Sequence, residues 1–187
     1  TLLVVVMYLT SAPLQGFVDM EWPELNFGEW FNSKASAATI YESGIYEYVV
    51  NNGKATIISV NKKASGEIVV PSQFKRGLGI LGTYDVTSIF DAAFIECKKI
   101  TSIKIPENVK EIGVCAFQYC TSLTSITLPS TLEKIGCCAF SSCTSLKALN
   151  IPKNVKKIED DILAGSTNLE KITVNKDNQS FCSEAGV

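Results

Sequence analysis

Cysteine is the residue type in this chain best placed to do chemistry. Seven are present, Cys97, Cys115, Cys120, Cys137, Cys138, Cys143 and Cys182. The number is odd, so at least one is unpaired within the chain. Cys115-x4-Cys120 and Cys138-x4-Cys143 could be read as two ligand pairs for zinc. Zinc sites of that kind commonly recruit histidine as well, and the chain has none. Without histidine the commonest general base is missing, and neither Ser-His-Asp nor Cys-His catalysis can be assembled. Gly77-x-Gly79-x-x-Gly82 matches the dinucleotide fingerprint letter for letter. That motif needs a following helix and an acid about 20 residues on. Tyr84-Asp85-Val86 and a strand over Thr87-Ser88-Ile89 follow instead, so a flexible loop is the expectation. Glu159, Asp160 and Asp161 are adjacent and read as a solvated turn. A glycosidase pair would have to face across a cleft, and none is predicted. The residues therefore point to no enzyme, no metal and no cofactor.

The elements that would position these residues repeat every 23 positions. Pro106, Pro129 and Pro152 are 23 apart, as are Val109, Leu132 and Val155, then Ile112, Ile135 and Ile158, and Leu123, Leu146 and Leu169. A fixed period in this range marks a solenoid, which offers an extended surface rather than a pocket. Cys97, Cys120 and Cys143 share one repeat position, and Cys115 and Cys138 share another. Ser166 and Asp161 continue the two ladders, which a metal site would not tolerate. The cysteines thus read as small buried hydrophobes. Free thiols are expected, because equivalent Cβ vectors in stacked repeats run parallel and suit disulfides poorly; disulfides are the alternative. Cys137 and Cys182 fall outside the ladders and are expected to be the exposed ones.

Within one repeat, Ser125-Ile126-Thr127-Leu128 alternates polar and apolar and predicts a half-buried strand that Pro129 ends. Leu132 and Ile135 re-enter the core along a second extended piece. Cys138–Cys143 suits one short helical turn with Ala139, Phe140 and Cys143 inward. Stacking predicts a parallel sheet along one face. The array begins near Glu67, since Ile68-Val69-Val70-Pro71 parallels Ile103-Lys104-Ile105-Pro106. Those prolines are 35 apart, so 12 extra residues, Phe74 to Asp85, read as a loop set out from the first repeat.

The architecture predicted is thus an α/β repeat solenoid over 67–187, preceded by a lead-in or cap over 17–66. In the lead-in, Gly44–Val50 and Ala55–Val60 flank the hairpin turn Asn51-Asn52-Gly53-Lys54. Trp22, Phe27, Trp30 and Phe31 either pack on the array or lie in a linker. Leu2–Leu9 is too short to span a bilayer and suits the apolar core of a signal peptide, with a buried strand as the alternative. Residues 1–16 read as a signal-peptide remnant, and the chain reads as cut at both ends. Net charge is −2 with no basic cluster, which argues against nucleic acid or anionic lipid as partner.

Leu123-x-x-Ile126-x-Leu128 resembles the leucine-rich repeat consensus, with Asn108, Thr131 and Asn154 where that consensus carries its Asn. More specifically, Ser125–Pro129, Leu132–Gly136 and Ala139–Leu146 resemble the BspA-type leucine-rich repeat. The resemblance implies a secreted or cell-surface protein, and in some members an adhesin for host or partner-bacterial proteins. The sheet face carries the candidate binding lane: Ser102, Lys104, Ser125, Thr127, Ala148, Asn150, Lys171 and Thr173. A lane so poor in aromatic and arginine anchors predicts modest affinity per repeat. The expectation is a monomeric protein-binding module without a membrane span in the mature chain, or a spacer carrying another domain.

Overall fold

The computed structural model describes residues 39–75 and 82–182. Residues 1–16, expected to be a signal-peptide remnant, and Trp22, Phe27, Trp30, Phe31, Gly77 and Gly79 lie outside them. From Ile40 onward the described residues belong to one compact unit.

Three antiparallel strands open it: β1 (Ile40–Ser43), β2 (Tyr46–Asn51) and β3 (Lys54–Val60). The β2–β3 hairpin is the expected one. Asn52 and Gly53 have φ of 50° and 73°, the left-handed values that a two-residue hairpin turn requires. Next come β4 (Ser65–Val69), β5 (Gln73–Lys75) and β6 (Thr83–Ile89). The array follows with β7 (Lys99–Lys104), β8 (Glu111–Ile112), β9 (Ser125–Thr127), β10 (Lys134–Ile135), β11 (Ala148–Ile151), β12 (Lys157–Ile158) and β13 (Lys171–Val174).

Each repeat contributes one strand to each of two faces. On the first face, β4, β7 and β9 pair in parallel, as do β11 and β13. The register is one repeat: Ile103 faces Ile126, and Leu149 faces Ile172. Ile68 faces Ile103, so β4 stacks on the first regular lane strand. On the second face, β6, β8, β10 and β12 run in parallel and continue through β3, β2 and β1. The lead-in therefore shares a sheet with the array.

The described ends of the 12-residue insertion are not set out from the array. Its flanks form an antiparallel pair, Phe74 opposite Tyr84, and β6 also lies parallel to β3. Phe74 is buried and stacks on Tyr48 with ring centroids 4.0 Å apart. Aromatic burial outweighs the glycine-rich composition of the segment, which had suggested a loop.

A second correction concerns Cys138–Cys143, where a helical turn was expected. No helix is present among the described residues. Ala139, Phe140 and Cys143 do point inward and are fully buried. The backbone, however, sends alternate N–H groups to the next repeat: Cys138 to the Asp160 carbonyl, Phe140 to Ile162 and Ser142 to Ala164. Those donors are unavailable to a helix. Cys138 and Ser142 adopt φ of 55° and 57°, which no α-helix accommodates. Equivalent left-handed residues recur at Ala92, Cys115 and Asp161, and at Glu96, Tyr119 and Gly165.

The core is a set of columns one repeat apart. Phe94, Phe117 and Phe140 are completely buried, with centroids 4.8 and 5.4 Å apart along the column. Glycine marks where backbones approach most closely. A Cβ on Gly136 would sit 2.6 Å from the Gly113 carbonyl carbon and 2.7 Å from the Val114 nitrogen. Backbone cannot yield as a side chain would, so Gly136→Ala should destabilise the chain by about 1–3 kcal/mol. Urea denaturation measures this; an unchanged midpoint would refute the close stacking.

Candidate functional site

Alternation along the first-face strands sends every second side chain to solvent. The eight lane residues fall into two rows. Ser102 faces Ser125 and Ala148 faces Lys171; Lys104 faces Thr127 and Asn150 faces Thr173. Lys104, Ser125, Thr127, Asn150 and Lys171 are exposed, while Ser102, Ala148 and Thr173 are half-buried. The two-strand and three-strand pieces meet where the Lys147 N–H donates to the Thr124 carbonyl at 3.3 Å. Two further members of the rows were missed in the sequence: Glu67 opposite Ser102, and Val69 opposite Lys104. Val69 is 62% exposed, unusually so for a large apolar residue on a strand. The parallel between Ile68–Pro71 and Ile103–Pro106 could have revealed both.

Beside the second row lies an open groove of about 490 Å³. Thr127, Asn150 and Thr173 form its lane side, and Glu107, Ser130 and Lys153 belong to the turns after the prolines. The Thr173 hydroxyl and Asn150 Oδ1 are hydrogen-bonded, which orders these two side chains. Glu107 Oε2 accepts from the Ser130 N–H at 2.9 Å and the Ser130 hydroxyl at 2.7 Å. The groove thus offers hydroxyl, amide, carboxylate and ammonium groups.

The remaining polar residues hold repeats together. Thr131 donates to the Val109 carbonyl at 2.9 Å, and Asn154 Nδ2 to the Ser130 carbonyl at 2.8 Å. Glu159, one of the three adjacent acids, accepts the Cys137 N–H at 3.1 Å and is bridged by Lys157 and Lys134. Asp91 accepts the N–H of Val114, one repeat before Cys137, at 2.7 Å. Burial raises the Asp91 pKa, and the Val114 N–H opposes that rise. Hydrogen bonds from Lys156 and Lys110 hold the Glu133 carboxyl below its ordinary value. These carboxylates join neighbouring repeats.

All seven cysteines are free thiols. Cys97, Cys120 and Cys143 are fully buried in a column. The Cys120 thiol donates to the Phe94 carbonyl at 3.2 Å and Cys143 to Phe117 at 3.1 Å. Ser166 repeats the bond with its hydroxyl, 2.8 Å from the Phe140 carbonyl. Cysteine and serine are thus interchangeable here because both are small donors. Cys137 corrects the sequence reading: it is buried, with its sulfur 3.3 Å from that of Cys138. Cys182 is exposed as expected. Among the described residues no group of three or more potential ligands is arranged to hold a metal, and no helix is long and apolar enough to cross a membrane.

Burial pushes the thiol of Cys97 up to about 11 and those of Cys137 and Cys143 up to about 12. The thiolate is the reacting form, so these groups should resist alkylation. Native protein treated with iodoacetamide should gain one adduct rapidly, at Cys182, by intact mass; rapid addition at Cys120 or Cys143 would contradict the column. A raised acid pKa means that the folded chain holds protons the unfolded chain releases. Stability is therefore complete below the unfolded thiol value of about 8.5 and is lost as pH rises from there towards the folded values. Urea midpoints should fall between pH 8 and 10.5; a flat profile would show that the thiols are not desolvated.

With this geometry established, comparison places the chain among known proteins. A leucine-rich repeat protein from Bacteroides capillosus superposes with a TM-score of 0.65 at 29% identity, over 73% of this chain and 98% of that one. Another from Bacteroides ovatus gives 0.55 at 27% identity, over 72% of this chain and 43% of that one. The T. pallidum leucine-rich repeat protein gives 0.54 at 24% identity, over 72% of this chain and 71% of that one, a likeness of fold alone. Comparison with curated proteins yields no significant match. Six copies of the BspA type leucine rich repeat region match residues 82–185, more than half of the sequence, and the chain belongs to that family.

Proposed function

We propose that this chain is a non-catalytic protein-binding module, displayed outside the cell as a secreted or surface adhesin, with the strand lane as its contact face. One observation carries the reading: the outward residues of successive strands lie in register on an accessible face beside a polar groove. Solenoids commonly use such faces to bind proteins. The extracellular location draws its support from Leu2–Leu9 and the small residues after it. Many other polar side chains of the array join neighbouring repeats, whereas Lys104, Ser125, Thr127 and Lys171 of the lane are exposed.

Ser125, Thr127 and Asn150 are the exposed uncharged centre of the lane. Changing all three to Glu should leave the fold intact, because none is in the core. Beads coated with the chain should attach to cell monolayers, and the triple variant should lose that attachment about tenfold or more at an unchanged urea midpoint. Equal attachment by both proteins would remove the lane from the reading. No attachment above uncoated beads by either would leave the spacer reading in place.

A further inference from the structure

Several charges of the array are matched one repeat apart, while Lys98, Lys99 and Lys176, like the lysines around the lane, form no ion pair among the described residues. Lys110 and Lys156 flank Glu133 at 3.3 and 3.0 Å. Lys134 lies 2.9 Å from Glu111 and 3.5 Å from Glu159, and Lys147 meets Glu170 at 2.8 Å. By contrast, Lys104, Lys153 and Lys171 form no ion pair among the described residues. Lys104 and Lys171 are outward residues of β7 and β13, and Lys153 edges the groove. Glu67 on β4 heads one row, but the outward residues from β7 to β13 include no acid. Glu107 is the carboxylate in the groove, and Ser130 already occupies one of its oxygens. On the last turn, Lys176 and Asp177 are adjacent and opposite in sign. A chain of net charge −2 thus presents a locally basic lane.

We infer that the lane's partner is a protein offering an extended acidic segment laid across the strands, an inference that rests on the lane being a protein-binding face. Three strand steps separate β7 from β13, about 14 Å at the usual spacing of about 4.8 Å. Lys104 and Lys171 stand in different rows, two residues apart along the strands, which lengthens the span to about 16 Å; an extended chain advances about 3.3 Å per residue, so carboxylates four residues apart, about 13 Å, meet both through the length of the lysine side chains. Lys153 stands beside the path. Between the lysines, Thr127, Asn150 and Thr173 offer hydroxyl and amide groups to the segment's backbone. Charge complementarity of this kind steers encounter and selects partners more than it adds raw affinity. Nucleic acid is disfavoured, since its affinity depends on neutralising many phosphates and three lysines are few.

The probe is a fluorescent eight-residue Gly/Ser peptide with Glu at positions 2 and 6, titrated with the full chain by polarisation at low salt. Saturable binding is expected, weakened about tenfold by Lys104→Glu, Lys153→Glu and Lys171→Glu together, and weakened by salt. Lys54→Glu, Lys63→Glu and Lys75→Glu together change the net charge equally and should leave binding unchanged. Equal binding of the peptide carrying Gln for Glu would overturn the inference. So would equal weakening by the second triple variant, or tighter binding of oligothymidine or phosphatidylserine vesicles than of the peptide. In the bead assay, retained attachment by the lane-lysine variant alongside loss by the Ser125/Thr127/Asn150 variant would sink the acidic partner and leave the lane reading standing.

Discussion

Everything in this molecule depends on one constraint: the backbone of each repeat must hydrogen-bond to the next in register. The constraint acts on three segments at once. Lane strands pair at one edge, two-residue strands pair at another, and the turn segment sends alternate N–H groups to carbonyls one repeat on. A single repeat could satisfy none of these bonds alone, and buried unpaired backbone groups are costly. The residues that pack between the segments therefore line up in columns, and Phe94, Phe117 and Phe140 are the largest of them.

Register also explains the left-handed residues. Cys115, Cys138 and Asp161 share one turn position, and Glu96, Tyr119 and Ser142 share another. Each costs about 1 kcal/mol or more in isolation. Their donors and acceptors are fixed by the neighbouring repeat, as when Cys115 donates to the Cys137 carbonyl at 2.9 Å. Glycine appears at only one of these positions, Gly165, because inter-repeat bonding rather than local freedom sets the conformation. At Gly113 and Gly136 the demand is different: the obstacle there is the adjacent backbone, and only the absence of a side chain meets it.

The period, the hairpin, the outward alternation of the strands and the cysteine columns were legible in the sequence because each is written in side-chain type. What escaped was written in backbone geometry. The helix expected over Cys138–Cys143 had the right inward residues, since Ala139, Phe140 and Cys143 are buried in either conformation. Burial alone could not tell a helix from the tight turns observed, in which the Ser141 N–H donates to the Cys138 carbonyl at 3.0 Å. Cys137 lies outside both cysteine columns, yet it is packed against Cys138, a contact that periodicity does not encode. Of β6 only the Thr87–Ile89 end was legible; its first half and β5 were hidden by three glycines, and β1 by its exposed, weakly apolar character.

The lane differs from these columns in what selects its residues. A core position must fit its neighbours above and below, so it tolerates Cys or Ser, or Ile or Leu, and little else. Position 104 and its equivalents carry Lys, Thr, Asn and Thr, and Val69 heads the row. Stacking does not require that variety, because a strand is satisfied by its backbone whichever polar side chain it turns outward. Exposed ion pairs add little stability, so the unmatched lysines around the lane cost the fold nothing. The same framework that fixes the interior leaves this one face open to variation, and a binding specificity can reside there without disturbing the stack beneath it.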